Sequence, residues 1–113
     1  MTCLFCSIVE GKIPAKIART DEHTVAFHDI HPAAPTHVLV IPKKHIASIA
    51  DANANDTELL GRVLFAAKEV AAELNLVPGG YRVVLNTGKD AGQSVFHLHA
   101  HVLAGRTLAW PPG

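Results

Sequence analysis

The sequence predicts an α+β fold with a mainly antiparallel sheet. Two observations predict it: strand-like runs are grouped on either side of one long amphipathic helical stripe, and the strict strand-helix alternation of a parallel sheet is missing. With 113 residues, 49% of them hydrophobic, the chain can bury one modest core, so residues 1–113 read as a single domain.

Each element follows from its pattern. Leu4, Phe5, Ile8 and Val9 recur at helical spacing with Gly11 behind them, which predicts a short helix closed by glycine. Residues 16–20 and 23–28, separated by Asp21-Glu22, predict a hairpin. Two prolines make 29–35 a loop, because each removes a backbone donor and restricts its predecessor. His37-Val38-Leu39-Val40-Ile41, stopped by Pro42, predicts an interior strand buried on both faces. Asp56 is a good N-cap for a helix carrying Leu59, Leu60, Val63, Ala67, Val70, Ala71 and Leu74 on one stripe and ending before Pro78-Gly79-Gly80. Residues 81–86 predict a strand, 87–93 a glycine-containing loop, and 95–103 a last long strand.

Ten basic residues balance ten acidic ones, so no broad positive field attracts a nucleic-acid backbone or an anionic membrane. No apolar run approaches the roughly 20 residues that span a bilayer, and the first residues lack a basic stretch followed by an apolar signal core. The expectation is a cytoplasmic protein whose two cysteines are thiols or metal ligands. Histidine is the anomaly, with eight in the chain and three at positions 97, 99 and 101.

On a strand, His97, His99, His101 and Leu103 point one way, while Leu98, Ala100, Val102 and Ala104 face the core. The histidines would stand roughly 6.5 Å apart, close enough to surround one phosphate. Gly88, Gly92, Gln93 and Ser94 precede them and could bring backbone N–H groups to anionic oxygens. A partly unprotonated imidazole is a competent nucleophile toward phosphorus near neutral pH, and its neighbours could stabilise the developing charge. A metal-binding row is the rival reading, and spacing alone does not separate the two.

Gly92-Gln93-Ser94-Val95-Phe96-His97-Leu98-His99-Ala100-His101-Val102-Leu103 resembles the signature of the histidine-triad superfamily. Residues 13–16, 26–30, 35–37, 40–45 and the closing Trp110-Pro111-Pro112-Gly113 resemble its Hint branch. The resemblance implies a five-stranded antiparallel sheet with one long and one short helix, two sheets being joined in a homodimer. It also implies hydrolysis of purine nucleoside 5′-phosphoramidates through a nucleotidyl-histidine intermediate, with no catalytic cofactor. By position, His99 would be the nucleophile, His101 would contact the α-phosphate and His37 would join the same network. Asp29 would bind the ribose hydroxyls, beside His28. Phe5, Ile8, Phe27, Ile30 and Leu39 would form the purine slot. Asn86, Gly92, Gln93, Ser94 and Val95 would line the phosphate and leaving-group side, with the Ser94 hydroxyl toward the departing amine. Trp110 would reach the partner's site. His31 departs from the branch, which more often holds a small polar residue there.

Cys3-x-x-Cys6 is half a zinc site by spacing. Resemblance to some bacterial histidine-triad proteins implies that His45 and His97 complete a structural zinc. Other functional classes remain open at this level: a purine nucleotide sensor or scaffold, a dinucleoside polyphosphate hydrolase as in the Fhit branch, and an enzyme using His97, His99 and His101 as metal ligands.

Overall fold

The computed structural model describes residues 3–113. Helix α1 (Leu4–Val9) leads into strands β1 (Ile17–Thr20), β2 (Thr24–His28) and β3 (Thr36–Pro42). Helix α2 (Thr57–Glu73) and strands β4 (Tyr81–Leu85) and β5 (Ala100–Ala104) follow. The strands form one sheet in the order β1-β2-β3-β5-β4, every neighbouring pair antiparallel. The α+β class, the five-stranded antiparallel sheet and the two helices expected from the sequence are therefore present. Among the described residues no helix is long and apolar enough to cross a membrane.

The sheet has two differently used faces. Val63, Ala66, Ala67 and Val70 of α2 bury against Ala26, Val38, Val40, Ala100 and Val102. On the other face α1 seats Phe5 among Val25, Phe27, Leu39 and Ile41. The central strand β3 serves both cores, which is why its run is apolar without alternation.

Helix α2 is fixed at both ends. Asp56 stands at the N-cap position as expected, but its carboxylate bonds no N–H of α2; it turns back to accept from the Asn53 backbone N–H at 3.0 Å and from Lys44 Nζ at 2.7 Å. The lysine hydrogen bond holds that carboxyl below its usual range. At the other end Asn75 adopts a φ of 59°. The N–H of Leu76 reaches the Ala71 carbonyl and that of Asn75 reaches Ala72, the Schellman arrangement. The helix accordingly stops at Glu73, before the Pro-Gly-Gly segment that marked its end in the sequence.

The last strand is shorter than expected. Residues 95–99 are irregular, and β5 begins at Ala100, where the pairings with Val40 and Leu85 both end. The cause lies in the side chains. Gln93 Nε2 donates to the Val95 carbonyl and His99 Nδ1 donates to the His97 carbonyl, so side-chain donors occupy acceptors that a ladder would use. The sidedness survives nevertheless: Leu98, Ala100 and Val102 lie in the α2 core, and His97 and His99 stand against Phe5.

Gly105, just past β5, has a φ of 101°, and an added Cβ would lie 2.7 Å from Pro35 Cβ. This contact holds the Asp29–Pro35 loop against the end of the sheet. Gly105→Ala is expected to cost about 1–3 kcal/mol, measured as a lower urea midpoint at an unchanged m-value.

Candidate active site

Strand register assembles the floor of a cleft. Phe27 pairs with Leu39 and Leu39 pairs with His101, so three side chains from three strands lie in a row on the α1 face. His37 opposes Leu103 and is therefore diagonal to His101, within reach of it. The cavity above holds about 400 Å³, within the range of small-ligand pockets. Of the apolar residues the sequence singled out, Phe5, Ile8, Phe27, Ile30 and Leu39 line it. The polar end gathers His28, Asp29, Ser94, His99 and His101, with Val95 beside them.

Other candidates lie elsewhere. His37 stands behind His101, and Asn86, Gly92, Gln93 and Trp110 do not line the cavity. The Gln93 amide is fully engaged in the scaffold: Nε2 donates to the Ala47 and Val95 carbonyls, and Oε1 accepts from Gly88 N–H. It shapes the loop before the histidines. Trp110 is 81% exposed on a tail held by Arg82, which donates to the Leu108 and Ala109 carbonyls. His31, singled out in the sequence for departing from the branch, also lines the cavity, whereas Leu4, Ile13, Pro14 and Ala15 were missed as lining residues. Nothing in their residue types distinguishes them from ordinary core and loop positions.

Hydrogen bonds fix the protonation pattern of the histidines. His99 Nδ1 lies 2.7 Å from the His97 carbonyl; a carbonyl only accepts, so Nδ1 carries the proton and neutral His99 keeps its lone pair on Nε2. Ala33 N–H donates to His37 Nδ1 at 2.9 Å, which puts the His37 proton on Nε2. From there it is donated to His101 Nδ1, 2.8 Å away. Neutral His101 thus carries its own proton on Nε2. The rings of His99 and His101 stand 4.9 Å apart between centroids. A bare nitrogen and an N–H donor therefore sit side by side at the polar end of an apolar cleft.

Burial, reinforced by the neighbouring His99 and His37, pushes His101 down to about 4. Burial also lowers His37, against the opposing pull of Asp29, whose carboxylate is 3.5 Å from His37 Nε2. The neutral relay is thus favoured. Above about pH 6.5 the folded and unfolded chains hold His101 neutral alike. Between there and about 4, the unfolded chain takes up a proton that the folded chain refuses, so stability falls with pH across that window. Below about 4 this group adds no further loss. Urea midpoints measured from pH 7.5 to 4 should show the decline, and His101→Asn should make it shallower, with the share of His37 and His97, which burial also lowers, remaining.

A second cluster lies behind the first. The ligand atoms of Cys3, Cys6, His45 and His97 all lie within 4.8 Å of one another and could hold a metal ion. His97 is wholly buried, and its Nε2–H donates to the Pro42 carbonyl at 2.8 Å, leaving Nδ1 bare toward the cysteines. His97 Nδ1 lies 3.4 and 3.5 Å from the two sulfurs and 3.2 Å from His45 Nδ1, while Cys6 Sγ lies 3.4 Å from His45 Nδ1. A tetrahedral ion with metal–sulfur and metal–nitrogen bonds of about 2.3 and 2.05 Å requires edges of roughly 3.5 Å between sulfur and nitrogen and 3.3 Å between nitrogens. The four residues fit such an ion. Without it, burial and the neighbouring Cys3 push the Cys6 thiol up; a bound cation would favour the thiolate.

Fold and site together define a small α+β protein with a histidine row at the polar end of an apolar cleft. The HIT domain matches residues 10–108, and the chain belongs to the HIT, or histidine-triad, family. It is 49% identical over 110 residues to an uncharacterised HIT-like protein of Synechococcus elongatus, covering 97% of this chain and 96% of that protein. A HIT family hydrolase from Legionella pneumophila superposes with a TM-score of 0.96 at 51% identity, over 99% of this chain and 100% of that one. A histidine triad nucleotide-binding protein from Candida albicans matches with a TM-score of 0.84 at 33% identity, over 97% and 83% of the two chains.

Proposed function

We propose that this protein hydrolyses purine nucleoside 5′-phosphoramidates to a nucleoside monophosphate and an amine. One observation carries the reading: the hydrogen bond from His99 Nδ1 to the His97 carbonyl leaves Nε2 as a nucleophile beside the Nε2–H of His101, in a cleft with an apolar slot at one end. The purine enters among Phe5, Phe27, Leu39, Ile8 and Ile30, and Asp29 accepts from the ribose hydroxyls. His99 Nε2 bonds to the α-phosphorus while the P–N bond breaks, and the leaving nitrogen takes a proton from water through the Ser94 hydroxyl and departs as the amine, a proton that the water of the second step returns. His101 donates to a phosphate oxygen as charge builds, and His37 holds His101 in the donating tautomer. Water then attacks the nucleotidyl-histidine, releasing the monophosphate and free imidazole.

Within this reading the ion at Cys3, Cys6, His45 and His97 is a structural Zn²⁺, suited to two thiolates and two imidazoles. It would fasten α1 to the segment that presents His99. The protein is a single-domain cytoplasmic homodimer: β4 ends the sheet order as an edge strand, and Trp110, exposed and outside the lining of its own cleft, would reach the partner's site.

The test is incubation with adenosine 5′-phosphoramidate, with and without chelator, following AMP release and intact mass. AMP release that persists under chelation, with an adenylyl adduct on the wild type and none on His99→Ala, supports the reading. Bound nucleotide without turnover by either protein would favour a sensor instead.

A further inference from the structure

A second groove shares part of its wall with the cleft. It holds about 450 Å³ and is lined by Ala47, Phe96, Cys3 and His45 together with Leu4, Ser94 and Val95. The last three also line the cleft that holds His99 and His101. Of the shared residues, Ser94 and Val95 stand with His99 and His101 at the polar end of the cleft. His99 is absent from the groove wall, and in-line displacement sends the leaving group away from the attacking nitrogen. In-line departure past Ser94 and Val95 would carry a substituent on the amine toward this groove.

The groove wall states what it would accept. Phe96 is 59% exposed, a large aromatic surface left in water beside the apolar side chains of Leu4, Val95 and Ala47. No aspartate or glutamate lines the groove, and the charge of a Cys3 thiolate would be neutralised by the ion it helps to hold, so no free anion there would pair with a cationic tail. We infer that this groove is the leaving-group subsite, and that it selects phosphoramidates of primary amines bearing an aromatic or branched aliphatic group over those bearing a second ammonium. This assignment rests on the phosphoramidase reading and specifies its substrate class. Phe96 and Ala47 would determine specificity without touching the reacting atoms.

The experiment compares kcat/KM for three adenosine phosphoramidates: unsubstituted, N-(2-phenylethyl) and N-(5-aminopentyl). The wild type should prefer the phenylethyl substrate to the aminopentyl one by roughly tenfold or more. Phe96→Ala should remove most of that preference, and Ala47→Trp, which fills the groove, should lower both substituted substrates. Both variants should keep unsubstituted turnover within about twofold. Phe96→Glu should turn the preference toward the aminopentyl tail. Equal changes on all three substrates, or no change on any, would overturn the subsite while leaving the hydrolase reading intact. Failure of the wild type to turn over even the unsubstituted substrate would end both.

Discussion

Replacing His99 by alanine is expected to lower AMP release from adenosine 5′-phosphoramidate by on the order of 10⁴-fold, with little change in nucleotide affinity. The variant loses the only group here proposed to form the covalent bond, whereas the apolar slot and the Asp29 carboxylate remain. Residual turnover would come from His101 and positioning alone. His99 packs edge-on to Phe5, with ring centroids 5.2 Å apart, so its removal leaves a small void under α1. A melting curve must therefore accompany the assay. His99→Asn, closer in volume, should show the same loss of chemistry. A decrease below tenfold in a well-folded variant would show that another group attacks phosphorus.

The second large effect concerns the metal. Chelation of metal-loaded protein is expected to lower the melting temperature by about 10 °C or more, as follows for a ligand held at 100 to 1,000 times its dissociation constant. Cys6→Ser should do the same and reduce bound zinc to well below one per chain. Ligands from three distant stretches of the chain, Cys3 with Cys6, His45 and His97, meet at this point, so loss of the ion removes a tie between the start of the chain and the sheet. AMP release should nevertheless continue below the lowered melting temperature, because no proposed chemical step passes through the ion. Loss of activity in folded, metal-free protein would make the histidine row a metal site after all.

Periodicity made most of the scaffold legible. Strand β3 announced its central place by an apolar run without alternation, and α2 by its stripe, since both signals need only local geometry. The facing of 97–103 followed from the period of an extended chain even though regular pairing begins at Ala100. What stayed hidden depended on partners far apart in sequence. The resemblance puts Gln93 on the phosphate side, whereas its amide is held by the Ala47 carbonyl and the Gly88 N–H. Likewise, nothing in Pro42 advertises that its carbonyl sets the tautomer of His97. The Ile13-Pro14-Ala15 edge of the cleft was invisible for a simpler reason: an apolar residue carries no mark of whether it faces a core or a cavity.

The two sheet faces also separate what can be altered from what must be kept. Every proposed contact with nucleotide or metal belongs to the α1 side or to loops at its rim, whereas the α2 side is packed from Ala26, Val38, Val40, Ala66, Ala67, Ala100, Val102 and their neighbours. Engineering for heat resistance can therefore work through the back of the protein, with volume-conserving exchanges among those residues, and leave substrate choice untouched. Engineering for new substrates should meet the opposite constraint, since Phe5 borders the histidine row and α1 begins beside the metal ligands, so recognition and durability there must be redesigned together.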